Sequence, residues 1–213
     1  MVQRLKTAKE GWVGIVKSLY MFFAFPFLLF IGVVMFFMVT SGKSMGRVAD
    51  DALGTVIIWA VIIVSIGTFA YGVWSRNRLL KKITAYLRDS AYYAPEIGYE
   101  MYRQGEGKYL GIDKKNGTIL YVHRIRKGQV DVVGLTMDDW TNREVEGNMF
   151  RLNTKFPDLP RIEIATPWAQ RWFDTLGAME YQKTNVAKPF AQHVRDQIEK
   201  LESDFKIQIP RLA

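Results

Sequence analysis

The chain has 213 residues, with 29 Lys/Arg against 21 Asp/Glu for a formal net charge of +8, and no cysteine. The missing cysteine excludes disulfides, Cys-based zinc centres and thiol nucleophiles. A mean hydropathy of −0.03 would describe an ordinary soluble protein, but it averages a very apolar third with a polar remainder.

Residues 1–17 form a basic start, with Arg4, Lys6, Lys9 and Lys17 against one glutamate, a net +3. Residues 18–40 (SLYMFFAFPFLLFIGVVMFFMVT) carry no charge over 23 positions, and about 20 apolar residues are enough for a helix to cross a bilayer core. The run is far longer than the apolar core of a signal peptide, and no small-x-small cleavage site follows it. Pro26 removes one backbone hydrogen bond within the run and predicts a kink. The loop 41–51 holds Lys43, Arg47, Asp50 and Asp51, a net charge of zero. Its Gly42-Lys43-Ser44 resembles the end of a P-loop, but the glycine which that motif needs at position 37 is Phe37.

Residues 52–74 (ALGTVIIWAVIIVSIGTFAYGVW) are a second uncharged run of 23. The small residues Gly54, Ala60, Ser65, Gly67, Ala70 and Gly72 suit close helix packing, either inside a hairpin or between copies in a homo-oligomer. Neither run contains the ionisable residue that transport paths and proton relays need, so the pair reads as an anchor. Four Lys/Arg precede the first run, two lie in the loop, and five (Arg76, Arg78, Lys81, Lys82 and Arg88) follow the second. The positive-inside rule then places both termini in the cytoplasm.

Residues 75–104 read as an amphipathic juxtamembrane linker, helical to about residue 92. Leu79, Leu80, Ile83, Tyr86 and Leu87 form its apolar stripe. The flanking Arg76, Arg78, Lys81, Lys82 and Arg88 would touch an anionic membrane surface or serve only to set topology. Tyr92, Tyr93, Tyr99 and Tyr102 show no clear alternation and are expected to pack at the junction.

Residues 105–185 change period. Strands are predicted at 109–113, 118–125, 129–135, 140–146, 148–156 and 159–165, with hairpin turns at Asn116-Gly117 and Lys127-Gly128, as an antiparallel meander. A helix should follow, with Thr166 as cap, Pro167 in its first turn and Trp168, Trp172, Phe173 and Leu176 on the face that covers the sheet. In the last segment, 186–213, Phe190, Val194, Ile198, Leu201 and Phe205 mark a helix from Pro189 to about Lys206. It would pack on the parent domain or on a partner helix. The expected class is a membrane α-helical hairpin plus an α+β domain: a small antiparallel sheet covered by a helix, with a further C-terminal helix.

Little chemistry is available. His123 and His193 stand alone, with no metal-ligand spacing around them, so no metal site and no cofactor are expected. Asp138-Asp139 reads as a solvated turn, and Glu144 and Glu146 as the wet face of a strand. No GxSxG elbow occurs. The expectation is therefore not an enzyme. The basic residues of the domain are scattered rather than gathered into a stripe, which argues against nucleic acid. Trp140, Arg143 and Trp168 are the candidate partner contacts, since aromatic and Arg side chains at a rim anchor interfaces.

The segments YLGIDKKNGTILYVHR, QVDVVGL and LPRIEIATPWAQRW, in that order, resemble a pleckstrin-homology-like domain of the bacterial membrane-tethered kind. With the basic start MVQRLKTAKEGWVGIVK and the hairpin, nearly the whole chain resembles the entry-exclusion (surface-exclusion) proteins of I-type conjugative plasmids, the Exc family. The resemblance implies a protein of the bacterial inner membrane that prevents redundant entry of the same plasmid. It implies that this protein recognises a donor-cell inner-membrane conjugative transfer protein. With both termini inside, only the hairpin and its loop face outward. The donor component must then reach across the recipient membrane, or the hairpin must share in recognition. The residues alone leave open a membrane-surface adaptor, binding lipid or a membrane-protein partner, unrelated to conjugation.

Overall fold

The computed structural model describes residues 8–42, 48–180 and 190–211; Arg4, Lys6, Lys43, Arg47 and Pro189 fall outside them. The described residues form two compact units that divide between Gly72 and Val73.

The first unit begins with α1 (Ala8–Leu19), a π-helical turn (Tyr20–Ala24) and α2 (Phe25–Thr40). Ahead of Pro26, where a kink is predicted, the structure has a π-helical turn in which the Phe25 N–H donates to the Tyr20 carbonyl. α3 (Val48–Leu87) follows, starting four residues before the second apolar run at 52. Two helical stretches, Ile15–Thr40 and Ala52–Leu87, are long and apolar enough to cross a membrane. α2 and α3 meet at Gly32, whose carbonyl accepts from Trp59 Nε1 at 3.2 Å. A Cβ there would stand 3.1 Å from Ile62. The Tyr20 hydroxyl bonds Ser65 Oγ at 2.8 Å. Ser65 and Gly54, which faces Met35, serve hairpin packing, while Gly67 and Gly72 face open space.

The second unit takes in the last turns of α3. These end at Leu87 rather than near 92, because Asp89 and Tyr93 close a backbone-bonded turn in both directions, at 2.9 and 2.6 Å. Two sheets follow instead of the single meander expected. Strands β1 (Glu100–Arg103), β2 (Lys108–Asp113), β3 (Thr118–Arg126) and β4 (Gln129–Leu135) form one antiparallel sheet in chain order. Strands β5 (Trp140–Glu146), β6 (Met149–Thr154) and β7 (Arg161–Ala165) form the other. Strand β1 lies inside the segment expected to be linker. The break between the sheets is a 3₁₀ turn at Met137–Asp139 with a capping box, in which the Asp139 carboxylate accepts from both Thr136 N and Thr136 Oγ1 at 2.7 Å. α4 (Ala169–Met179) and α5 (Phe190–Phe205) complete the unit.

The first sheet is buried on both faces. Leu110, Ile112, Ile119, Tyr121, Val133 and Leu135 pack with Phe150, Leu152, Ile162, Ile164, Trp172 and Leu176 of the second sheet and α4. On the other face, Tyr109, Leu120, Val122, Val130 and Val132 pack under Leu80, Ile83 and Leu87 of α3 and Phe190, Val194, Ile198 and Leu201 of α5. The terminal helix therefore packs on its own domain. Burial on both faces explains the unbroken apolar run of β3, since successive side chains point to opposite sides of a strand.

Candidate functional site

The five cations that follow the second apolar run do not share one environment. Arg78, Lys81 and Lys82 are exposed and line a shallow groove with Trp74, Asn77 and Ala85. The Arg78 guanidinium lies over the Trp74 ring at 5.1 Å. Arg88 pairs with Glu100 at 2.7 Å, and Glu100 accepts from the Tyr109 hydroxyl at 2.9 Å. That hydroxyl bonds Tyr93 at 2.6 Å. Burial drives both phenols well above their ordinary pKa, so this chain of bonds stays protonated and intact. Arg76 turns into the domain, its Cδ near Gly107.

Of the three expected partner contacts, two hold the fold together. Trp140 is buried. Arg143 pairs with Glu180, and its guanidinium lies 4.7 Å from the Phe173 ring and 5.8 Å from Trp140. Gly177 leaves room for it, since a Cβ there would stand 2.5 Å from Arg143 Nη2. This group ties α4 to β5. Trp168, at the start of α4, is 37% exposed.

The structure adds a residue that sequence patterning did not mark. Ile97 is 97% exposed, yet its loop is tightly held. Asp113, itself buried, accepts from the Ala94 N–H at 2.8 Å while also bonding Lys115 N and Asn116 Nδ2 of the β2–β3 turn. The Gly98 carbonyl accepts from Trp172 Nε1 at 2.9 Å. Gly98 has φ +88°, and Arg171 Nη1 fills the space a side chain would need there. Tyr99 is gripped by two cations, with the Arg171 guanidinium and Lys114 Nζ each 4.4 Å from its ring; Lys114 also pairs with Glu96 at 2.8 Å. Ile97 directly precedes Gly98, and Trp168 lies one turn before Trp172, its carbonyl accepting from the Trp172 N–H at 2.9 Å. A large apolar side chain held rigidly in solvent pays little ordering entropy on contact, which is the character of an interface anchor.

These two regions lie at opposite ends of the domain. Strand β1 climbs back along α3: Glu100 meets Arg88, Tyr102 bonds Thr84 at 2.8 Å, and the turn at Gly107 meets Arg76. Ile97, which precedes β1, is therefore at the end of the domain away from Arg76.

His123 on β3 faces Lys108 on one neighbouring strand and Asp131 on the other. Burial first, and then Lys108, lower its pKa below 6.5 against the opposing pull of Asp131 and Glu106. A depressed imidazole pKa means that the unfolded chain binds the proton more readily. The His123 contribution to stability is therefore complete above about pH 6.5 and is lost as pH falls through the lower folded value. The unfolding midpoint of H123Q should accordingly show a weaker fall than wild type between pH 6.5 and 5; equal slopes would contradict this.

The geometry defines a class: a two-sheet α+β domain, with no metal-binding group of side chains among the described residues, in a chain that also holds helices apolar enough to span a membrane. The chain belongs to the exclusion-determining protein family, whose model matches residues 1–213. No curated protein and no solved structure matches it.

Proposed function

We propose that this protein blocks redundant conjugative entry of a related plasmid by binding a donor-cell inner-membrane transfer protein, while anchored in the recipient's inner membrane with both termini in the cytoplasm. The observation that carries the reading is the family match over the whole chain. Binding, not chemistry, is the mechanism, and the surface is the end of the domain that presents Ile97 and Trp168. The order of four antiparallel strands, three antiparallel strands and a covering helix supports a pleckstrin-homology-like reading of the domain, a framework that presents loops at its ends.

The test is expression of the full chain in a recipient, with measured transfer from a matched donor. Wild type should depress transfer. I97D/W168A, present at equal level in the membrane, should weaken partner binding by about tenfold or more, as loss of two anchor residues does, and restore transfer. No effect of wild type would refute exclusion; undiminished exclusion by the double variant would refute the surface. A second reading, a membrane-surface adaptor, is favoured by exposed Trp74 at the end of the apolar run and exposed Arg78, Lys81 and Lys82 just past it. It predicts that the R78Q/K81Q/K82Q variant loses function while I97D/W168A keeps it.

A further inference from the structure

A pocket opens along the edge of the first sheet. Val132 and Gly134 of β4 line one side, Val194 and Arg195 of α5 another, and Pro210 and Arg211 of the segment after α5 a third. It encloses about 190 Å³, less than the roughly 300–1,000 Å³ of small-molecule sites. α5 and the segment behind it follow the two sheets and α4 in the chain, so the pocket is an addition to that frame.

The hydrogen bonding of this edge is incomplete. The Val130 N–H turns away from β3 to the Gln208 carbonyl at 3.1 Å, and the N–H of Arg124, opposite it, turns away from β4 to the Gly107 carbonyl at 2.8 Å. Arg124 and Val130 are thus a pair without mutual bonds. In an antiparallel ladder such pairs alternate with bonded ones. Val132, opposite Val122, and Gly134, opposite Leu120, therefore also direct their N–H and C=O groups outward. Both residues are buried, yet these groups have no backbone partner among the described residues. The terminal segment supplies none, because the residue due next to donate, to the Val130 carbonyl, is Pro210, which has no N–H. Buried backbone groups are nearly always paired. Two rungs left open side by side in a pocket match another extended backbone.

The pocket also has a sign. Among its described lining residues Arg195 and Arg211 are charged, and no carboxylate lines it. Arg211 is shared with Glu202 at 3.6 Å. The wall that carries Arg211 is fixed in advance, since Glu202 also accepts from the Ile209 N–H at 2.7 Å and Ile207 and Ile209 sit in the core. A preformed wall keeps the ordering cost of binding low.

We propose that this pocket takes an extended acidic segment of another protein, which adds backbone rungs to β4 at Val132 and Gly134 while its carboxylates meet Arg195 and Arg211. Main-chain bonds supply the affinity, and the two arginines select for acidic sequence.

The test uses the full chain in detergent and a six-residue peptide of alternating Val and Glu, with exchange of individual amide hydrogens as the readout. Two controls accompany it, the Val–Lys counterpart and the Val–Glu peptide N-methylated throughout. The Val–Glu peptide should slow exchange at the Val132 and Gly134 N–H groups. Both controls should bind about tenfold more weakly or worse. So should the Val–Glu peptide with R195E, where attraction gives way to repulsion. Arg195 is exposed, so R195E should keep the wild-type unfolding midpoint, and K200E, on the same helix outside the pocket, should bind as wild type does. No slowing at Val132 and Gly134, or equal binding of the N-methylated peptide, would overturn the added rungs. Equal binding by R195E, or of the Val–Lys peptide, would overturn the acidic partner. Both amides already slow without peptide would overturn the proposal too, and quickening on dilution would then identify a second copy as the occupant. No conjugation enters the readout, so this pocket and the exclusion reading stand or fall separately.

Discussion

Gly111→Ala should destabilise the C-terminal domain by about 3–5 kcal/mol, the combined scale of overpacking and of a broken buried hydrogen-bond chain. Gly111 sits in mid-β2, paired with Glu100 and Leu120. Two phenols lie directly over it: a methyl would overlap the Tyr93 hydroxyl outright and stand 2.5 Å from that of Tyr109. Those hydroxyls bond each other at 2.6 Å and continue to Glu100 and Arg88. Tyr93 also stacks on Phe190 of α5, with ring centroids 5.4 Å apart, so pushing it aside disturbs the helix above. The check is chemical unfolding of the full chain in detergent for G111A, Y93F and the double variant. Since Tyr93 supplies the nearer clash, G111A should cost less in the Y93F background; strict additivity would show that the overlap is not the cause.

Trp172→Ala should cost about 3–5 kcal/mol, the usual scale for deleting a fully buried aromatic ring. Trp172 is fully buried and stands edge-on to Phe150 at 5.8 Å. Trp172→Phe keeps most of the ring and removes the bond to the Gly98 carbonyl, a loss of about 1–2 kcal/mol. The two variants separate packing from positioning. Hydrogen exchange at residues 94–99 should quicken in W172F although the global unfolding midpoint falls less than in W172A. If Ile97 acts from a rigid loop, W172F should also weaken exclusion. Unchanged exchange there would mean that Asp113 and Arg171 hold the loop without Trp172.

Much of the domain was legible because local signals were strong. Asn116-Gly117 and Lys127-Gly128 are turns with glycine φ of +66° and +83°, and they set the register of β2, β3 and β4. The strand expected at 140–146 matches β5, and helix α5 follows its apolar spacing. β1 escaped notice because Glu-Met-Tyr-Arg has no apolar alternation; all four residues are half-buried, and only pairing with β2 makes them a strand. The split into two sheets depended on Thr136 and Asp139, a three-residue cap between two strands that periodicity does not register. The candidate surface was harder still. Trp140 and Arg143 looked like rim residues, but α4 folds over them and turns them into packing. Ile97 is a single apolar residue in a polar loop, and one residue has no period. Its significance lies in exposure, set by Asp113 and Trp172 from far along the chain.

After α5 the chain turns back to the sheet. Gln208 N–H donates to the Gly128 carbonyl at 2.7 Å, and the Gln208 carbonyl accepts from Val130 N–H at 3.1 Å, giving a parallel bridge to Gln129. β4 is an edge strand, and an open edge invites a foreign strand to add itself. Here the molecule supplies its own stopper at the start of that edge, with Ile207 and Ile209 seated in the core on either side. A foreign strand is thereby kept from adding at that end of the edge, and any contact made there is left to side chains.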